Sequence, residues 1–238
     1  MTKRYKPFQF KQFAIDHSES TMKVGTDAVL LGAWVNLHEA RNILDIGTGS
    51  GVIAIMLAQR SSSFTHIDAV EINEPDADQA KANVLHSPWP QKVSVHHSSI
   101  QNYLPGIRYD IIVSNPPYFT NSYKPPDERR IQARHTILLP FDELLNAVEK
   151  LLEDTGRFNV VLPYTEGIEF QLMAEVKGFY CTRQTALKGR TQKPVERLFM
   201  EFAKHPSPCA KEEIVMFNDD DQWSETYKNL TRDFYLKI

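Results

Sequence analysis

Apolar positions along the chain alternate between two patterns. Dense short runs bounded by glycine, proline or polar residues occur at 42–46 (NILDI), 66–72 (HIDAVEI), 93–96, 109–114 (YDIIVS) and 158–162 (FNVVL). Runs of this length and density predict buried strands. Between them lie segments with helical spacing. Residues 52–59 (VIAIMLAQ) predict a helix directly after the first strand. Residues 75–86 place Pro75 in a first turn and Ala77, Ala80 and Val84 on one face. Residues 141–152 repeat Leu144, Leu145, Val148, Leu151 and Leu152 along one side, with Gly156 expected to end the helix. Ahead of the first strand, Thr26 or Asp27 is expected to cap a helix that turns Val29, Leu30 and Ala33 inward. Residues 179–187 and 197–203 predict two further strands. No helical pattern separates them, so they are expected to be antiparallel neighbours.

Strand–helix alternation implies parallel strands joined by crossover helices. The expected fold is a Rossmann-like α/β domain. Its sheet has seven strands, mostly parallel with the last strands antiparallel, and helices on both faces. A single domain over 1–238 is expected: a basic segment and helix at 1–40, a core at 41–203 and an extension at 204–238.

Composition narrows the classes. With 42% hydrophobic and 24% charged residues in 238, a wholly disordered chain or a fibre is excluded. Cys181 and Cys209 are the only cysteines, which excludes a disulfide-dense scaffold, and neither sits in a CxxC pair, so no metal site is expected. No apolar run approaches the ~20 residues of a membrane span. The amino terminus lacks the apolar core of a signal peptide, so a cytoplasmic protein with no membrane partner is expected. Net charge is −3 but unevenly spread. Lys3, Arg4, Lys6 and Lys11 cluster at the start, Lys124, Arg129, Arg130 and Arg134 in 119–135, and Arg183, Lys188, Arg190, Lys193 and Arg197 in 183–197. Acids dominate 212–238. Three basic segments suit a polyanion if they converge; taken alone they read as solvated faces.

Three local features carry chemistry. In 44–51 (LDIGTGSG) a strand runs into Gly47, Gly49 and Gly51 and then into a helix. Glycines permit positive φ and close approach to a ligand. The dinucleotide fingerprint would require a glycine at Val52, which disfavours a pyrophosphate cradle. Glu71 ends the second strand, 20 residues past Gly51, where a carboxylate can accept hydrogen bonds from ribose hydroxyls. Asn115-Pro116-Pro117-Tyr118 follows the fourth strand. Its prolines stiffen the turn and supply no N–H. The Asn115 carboxamide oxygen and the Pro116 carbonyl are two acceptors that suit an amino group, and Tyr118 offers a ring face for a planar base. The segment 119–135 follows at the sheet's carboxyl edge, where ligands bind in such folds.

Together these motifs resemble the class I S-adenosylmethionine-dependent methyltransferases that act on planar amino groups. Residues 10–34 (FKQFAIDHSESTMKVGTDAVLLGAW), 129–135 (RRIQARH) and the ending WSETYKNLTRDFYL resemble the bacterial tRNA1(Val) adenine-37 N6-methyltransferase family, over nearly the whole chain. The resemblance implies S-adenosyl-L-methionine as cofactor and S-adenosyl-L-homocysteine as product. It implies that Asp45, Gly47, Gly49, Gly51 and Glu71 hold the cofactor, with Asn115 beside it and Lys23, Gly25 and Asp27 near its entrance. Family members often carry Asp before Ile after the third strand, on the adenine amine. Ser99 stands at that place here, and a hydroxyl makes a weaker bond than a charged acceptor. Asn115, Pro116 and Tyr118 take the catalytic roles, and Lys124, Arg129, Arg130 and Arg134 would hold RNA. The implied partner is tRNA, and a monomer is taken as the assembly.

The expected reaction is N6-methylation of an anticodon-loop adenine by direct in-line transfer, without metal or covalent intermediate. Other readings rank below it: the same motif acting on a glutamine amide of a translation factor or on adenine in ribosomal RNA or DNA; a nicotinamide oxidoreductase; and a non-enzymatic RNA-binding module. His96 and His97 lack ligand spacing, Asp219–Asp221 is a solvated run, and Trp34, Trp89 and Trp223 are packing residues.

Overall fold

A computed structural model describes residues 6–117 and 140–237. In chain order the elements are β1 (Phe8–Gln9), β2 (Ala14–Ile15), α1 (Thr26–Trp34), β3 (Asn42–Ile46), α2 (Val52–Arg60), β4 (His66–Glu71), α3 (Glu74–His86), β5 (Val93–His97), a 3-10 turn (Ile100–Asn102) and β6 (Tyr109–Ser114). After the undescribed stretch come α4 (Phe141–Leu151), β7 (Leu152–Pro163), α5 (Tyr164–Val176), β8 (Tyr180–Arg190), β9 (Val195–Ala203), β10 (Ala210–Phe217) and α6 (Glu225–Thr231).

The main sheet has the order β10-β8-β9-β7-β6-β3-β4-β5. Among the described residues, only β9 runs against its neighbours; the other pairings in this sheet are parallel. The expected α/β architecture and the antiparallel β8–β9 pair are therefore present. The sheet has eight strands among the described residues rather than seven. Its extra member, β10, opens with Lys211, Glu212 and Glu213, which are exposed. It pairs, among the described residues, on one side only, with β8, so a charged first half is tolerated and reads in sequence as polar surface.

Central strands β3 and β6 are apolar because both faces are covered. On one face α1 and α2 pack through Val29, Leu30, Ile53 and Met56. On the other, α4 and α5 pack through Leu144, Val148, Phe170 and Ala174. Val29, Leu30 and Ala33 do face inward, but Gly25 caps α1 and Asp27 lies in its first turn. Gly156 does not cap α4 either. That helix ends at Leu151, and Gly156 lies inside β7, where an added Cβ would fall 2.7 Å from Leu152 Cδ1 and 3.0 Å from the Tyr109 carbonyl. Helix α5 gives no clear stripe in the sequence because it is apolar on two sides. Gly167, Phe170 and Ala174 face the core, while Ile168, Leu172 and Val176 are exposed.

The chain ends are stitched together by rings. Phe13 stacks on Phe10 and Phe10 on Tyr235, and the series continues through Tyr227 and Trp223 to Phe217. The Lys11 N–H donates to the Phe234 carbonyl at 2.8 Å.

Candidate active site

The parallel register sets the site. Ile46 of β3 lies beside Ser114 of β6 and beside Val70 of β4. The next residues, Gly47, Asn115 and Glu71, therefore leave three adjacent strands at one carboxyl edge. The Ser114 hydroxyl donates to the Ile46 carbonyl at 3.0 Å, and the Gly47 and Thr48 N–H groups both donate to the Val70 carbonyl, at 2.9 and 3.1 Å. These bonds join the three strand ends into one rim.

Gly47, Gly49 and Gly51 have φ of 72°, 54° and 83°, a region where a Cβ is strained. At Gly47 and Gly49 an added Cβ would meet nothing within 4 Å among the described residues, which leaves one side of the turn uncovered by them. At Gly51 it would also meet Ala80 Cβ at 3.3 Å, because α2 starts against α3. Gly51 is the N-cap of α2, and its N–H donates to the Thr48 carbonyl at 2.9 Å.

Two carboxylates underlie this turn. Glu71 is buried; its Oε2 accepts from the Gly49 N–H at 2.8 Å and its Oε1 from the Asn73 N–H at 2.9 Å. Each oxygen keeps a lone pair for a hydroxyl. Asp45 is fully buried. Its Oδ2 accepts from the Thr48 hydroxyl at 2.6 Å, while Oδ1 is buried without a hydrogen-bond partner among the described residues. Burial pushes its carboxyl up to about 7, which the Thr48 bond and the nearby Ala54 backbone N–H oppose and the neighbouring Glu71 charge reinforces. An orphaned buried oxygen beneath an open glycine turn suits a ligand that brings a cationic donor. Ser98 N–H donates to the Glu71 carbonyl at 2.9 Å, which ties the Ser98–Ser99 turn to the same rim. Ser99 is half-buried at the N-cap of the 3-10 turn.

Asn115 is half-buried, Pro116 buried and Pro117 exposed. Tyr118, Lys124, Arg129, Arg130 and Arg134 lie outside the described residues. Lys23 and Gly25 are exposed ahead of α1, and Asp27 pairs with Arg197 Nε at 2.8 Å.

The basic segment 183–197 differs from expectation. Arg183 sits 3.7 Å over the Trp34 ring and 3.6 Å from Glu201, Lys188 pairs with Glu213 at 2.7 Å, and Arg190 pairs with Asp221. Four of its five cations thus have acidic partners once Arg197–Asp27 is included, and Lys193 is exposed in the β8–β9 turn. Glu213, from the acid-dominated stretch 212–238, and Asp221, from the run 219–221 that reads in sequence as solvated, supply two of those partners, because β10 lies alongside β8. Cation counts could not show this, since the pairing depends on the eighth strand.

Several contributors carry no mark in the sequence. Thr48 and Ser114 look like ordinary turn and strand residues until their hydroxyls find Asp45 and Ile46. Asp76, Gln79 and Asn83 form a buried polar stripe on α3, and their spacing of three and four is the available signal. His96 lacks ligand spacing, yet its Nε2 lies 2.7 Å from buried Asp68, which also accepts from the Tyr109 hydroxyl at 2.7 Å. Burial alone would raise the Asp68 carboxyl, but the Tyr109 and His96 bonds together hold it below its ordinary range.

The sheet order, the glycine turn and the acid after the second core strand define a class I S-adenosylmethionine-dependent methyltransferase fold. The crystal structure of a predicted O-methyltransferase from Agrobacterium tumefaciens superposes with a TM-score of 0.67 at 15% identity, covering 87% of this chain and 96% of that one. The model of the methyltransferase small domain family matches residues 17–186. Among curated relatives, the tRNA1(Val) (adenine(37)-N6)-methyltransferase of Trichodesmium erythraeum is 45% identical over 233 residues, 97% of this chain and 98% of the relative. The enzyme of the same name from Bacteroides thetaiotaomicron is 42% identical over 231 residues, with 97% and 98% covered. The chain belongs to this family of tRNA1(Val) (adenine(37)-N6)-methyltransferases, within the methyltransferase small domain group.

Proposed function

We propose that the protein transfers a methyl group from S-adenosyl-L-methionine to N6 of an unpaired adenine in the anticodon loop of tRNA, at position 37 of tRNA1(Val). The observation that carries this reading is the register that starts the glycine turn and the Asn115-Pro116 corner from neighbouring central strands, one residue past a paired Ile46–Ser114. Donor and acceptor of the methyl group then share one rim.

Under this reading the open side of Gly47 and Gly49, with Asp45 beneath, receives the methionine portion. Glu71 takes the ribose hydroxyls and Ser99 the adenine amine, while Lys23, Gly25 and Asp27 border the entrance. When bound, S-adenosylmethionine supplies a methyl group already activated by its sulfonium. Asn115 and the Pro116 carbonyl accept the two N6 hydrogens, which favours a more tetrahedral nitrogen and aims its lone pair. Positioning and preorganised acceptors provide most of the rate. Tyr118 stacks on the base, a contact worth about 1–3 kcal/mol. An anticodon-loop adenine is already unpaired, so seating it needs less work than flipping a duplex base. The excess proton leaves to solvent. Lys124, Arg129, Arg130 and Arg134 hold the RNA backbone.

Radiolabelled methyl transfer to total tRNA from a strain lacking this modification, with mass analysis of the nucleosides, tests the reading. The expected product is N6-methyladenosine from one tRNA. Label in protein, with none in tRNA, would favour the glutamine-amide alternative instead.

A further inference from the structure

A crossover helix in this fold is expected to be apolar toward the sheet and polar toward solvent. Helix α3 departs from that pattern. Ala77, Ala80 and Val84 are buried as expected, but Asp76, Gln79 and Asn83 are buried too, at 3%, 9% and 3% exposure. Buried polar groups are tolerated only when paired. All three find partners in residues 16–21, a segment with no regular secondary structure, whose main chain must therefore be satisfied from outside a helix or ladder. Asp16 N–H donates to Asn83 Oδ1 at 2.9 Å, and Asn83 Nδ2 donates to the Asp16 carbonyl at 2.8 Å. Glu19 N–H reaches Gln79 Oε1 at 3.5 Å. Asp76 accepts from both the N–H and the hydroxyl of Thr21, at 2.8 and 2.6 Å.

Asn83 does one thing more. Its second amide hydrogen goes to the Ser50 carbonyl at 2.8 Å, inside the glycine turn. One side chain therefore joins the turn to the strap at 16–21. That strap continues through Lys23 and Gly25 to Asp27, which Arg197 holds at the start of α1. The strap is thus fixed at both ends, with Lys23 between them.

We propose that the Asp76–Gln79–Asn83 stripe is a latch for the strap, and that Asn83 is a positioning residue that sets cofactor affinity by coupling the strap to the glycine turn. The affinity part rests on the cofactor placement proposed above. Molecules with the strap unlatched bind poorly, so apparent affinity scales with the latched fraction.

Titration calorimetry with S-adenosylhomocysteine, and trypsin cleavage after Lys23 followed by mass of the fragment beginning at Val24, test the two halves. Asn83→Ala should weaken binding roughly tenfold, the size of one or two net hydrogen bonds. It should speed cleavage at Lys23 and raise the cofactor KM, with kcat at saturation changed less than about threefold. Asn83→Asp keeps the acceptor but turns an oxygen toward two carbonyls, and should be no better than alanine. Thr21→Val leaves the helix intact and removes one strap bond, so it should move both readouts the same way by about two- to threefold even if the Asn83 variants misfold. Folded variants that bind and are cut like the native chain would overturn the latch. A native chain that fails to bind S-adenosylhomocysteine would overturn the proposed function and the affinity claim with it, while cleavage at Lys23 still decides whether the latch exists.

Discussion

Replacing Asp45 with asparagine removes a carboxyl that the fold holds fully buried, with one oxygen unpartnered among the described residues. Raising that carboxyl from 3.8 to about 7 corresponds to ~4 kcal/mol against the ionised folded form. Because the folded value lies above the unfolded one, the folded protein keeps its proton through the interval between them. Stability therefore declines as pH rises from about 4 and levels off above about 7. The Asp45→Asn protein would lack this slope. The variant also leaves an amide N–H without an acceptor, a penalty of about 1–3 kcal/mol, but that term does not change with pH. The pH dependence thus isolates the charge. Between pH 5 and 8 the stability of Asp45→Asn relative to the native chain should improve by about 3 kcal/mol. In a protein of this size that is roughly 6–12 °C in the difference of Tm. Thermal unfolding of both proteins by circular dichroism across that range measures it. Melting curves whose separation stays constant from pH 5 to 8 would refute the reasoning, since the carboxyl would then not be neutralised by burial. The same variant should bind S-adenosylhomocysteine more weakly, so stability gained at pH 8 would accompany lost affinity.

Three further outcomes follow from the geometry. Asn115→Ala should lower kcat by about 100-fold or more by removing an acceptor for the amino group, with S-adenosylhomocysteine affinity held within about threefold; native-rate turnover would remove the corner from the mechanism. Gly51→Ala should destabilise by about 1–3 kcal/mol in urea unfolding, because the left-handed φ and the Ala80 contact act together; an unchanged midpoint would contradict both. Affinity for tRNA should fall steeply with salt, with a log–log slope near −3 for about four phosphate contacts. Alanine at Lys124, Arg129, Arg130 and Arg134 should flatten that slope more than alanine at Lys188 and Arg190, which already have carboxylate partners.

What could be read in advance follows from how locally each feature is determined. The core strands are legible because burial on both faces demands continuous apolar runs, as in 109–114. The glycine turn and Glu71 are legible because spacing along adjacent strands fixes their meeting point. The features that escaped depend on partners distant in sequence. Strand β10 needs only one neighbour, so the charged opening of Ala210–Phe217 masks the short apolar run that follows it. Helix α5 has Phe170 inward and Leu172 outward, so no stripe stands out. Arg183 reads as a phosphate contact until Trp34 and Glu201 are brought to it. Asn83 reads as a surface helix residue until Asp16 and Ser50, 67 and 33 residues away, are folded onto it.

The reversed direction of β9 decides which loops can take part in substrate choice. Arg197 pairs with Pro163, the last residue of β7, so the β8–β9 turn emerges at the same end of the sheet as the glycine turn. Had that strand run with its neighbours, a crossover connection along the length of the sheet would have replaced this short turn. Under the function proposed above, the segment 191–194 is consequently a place where a few inserted or exchanged residues would meet a bulky substrate yet leave every core strand in register, which makes it a handle for retargeting the enzyme.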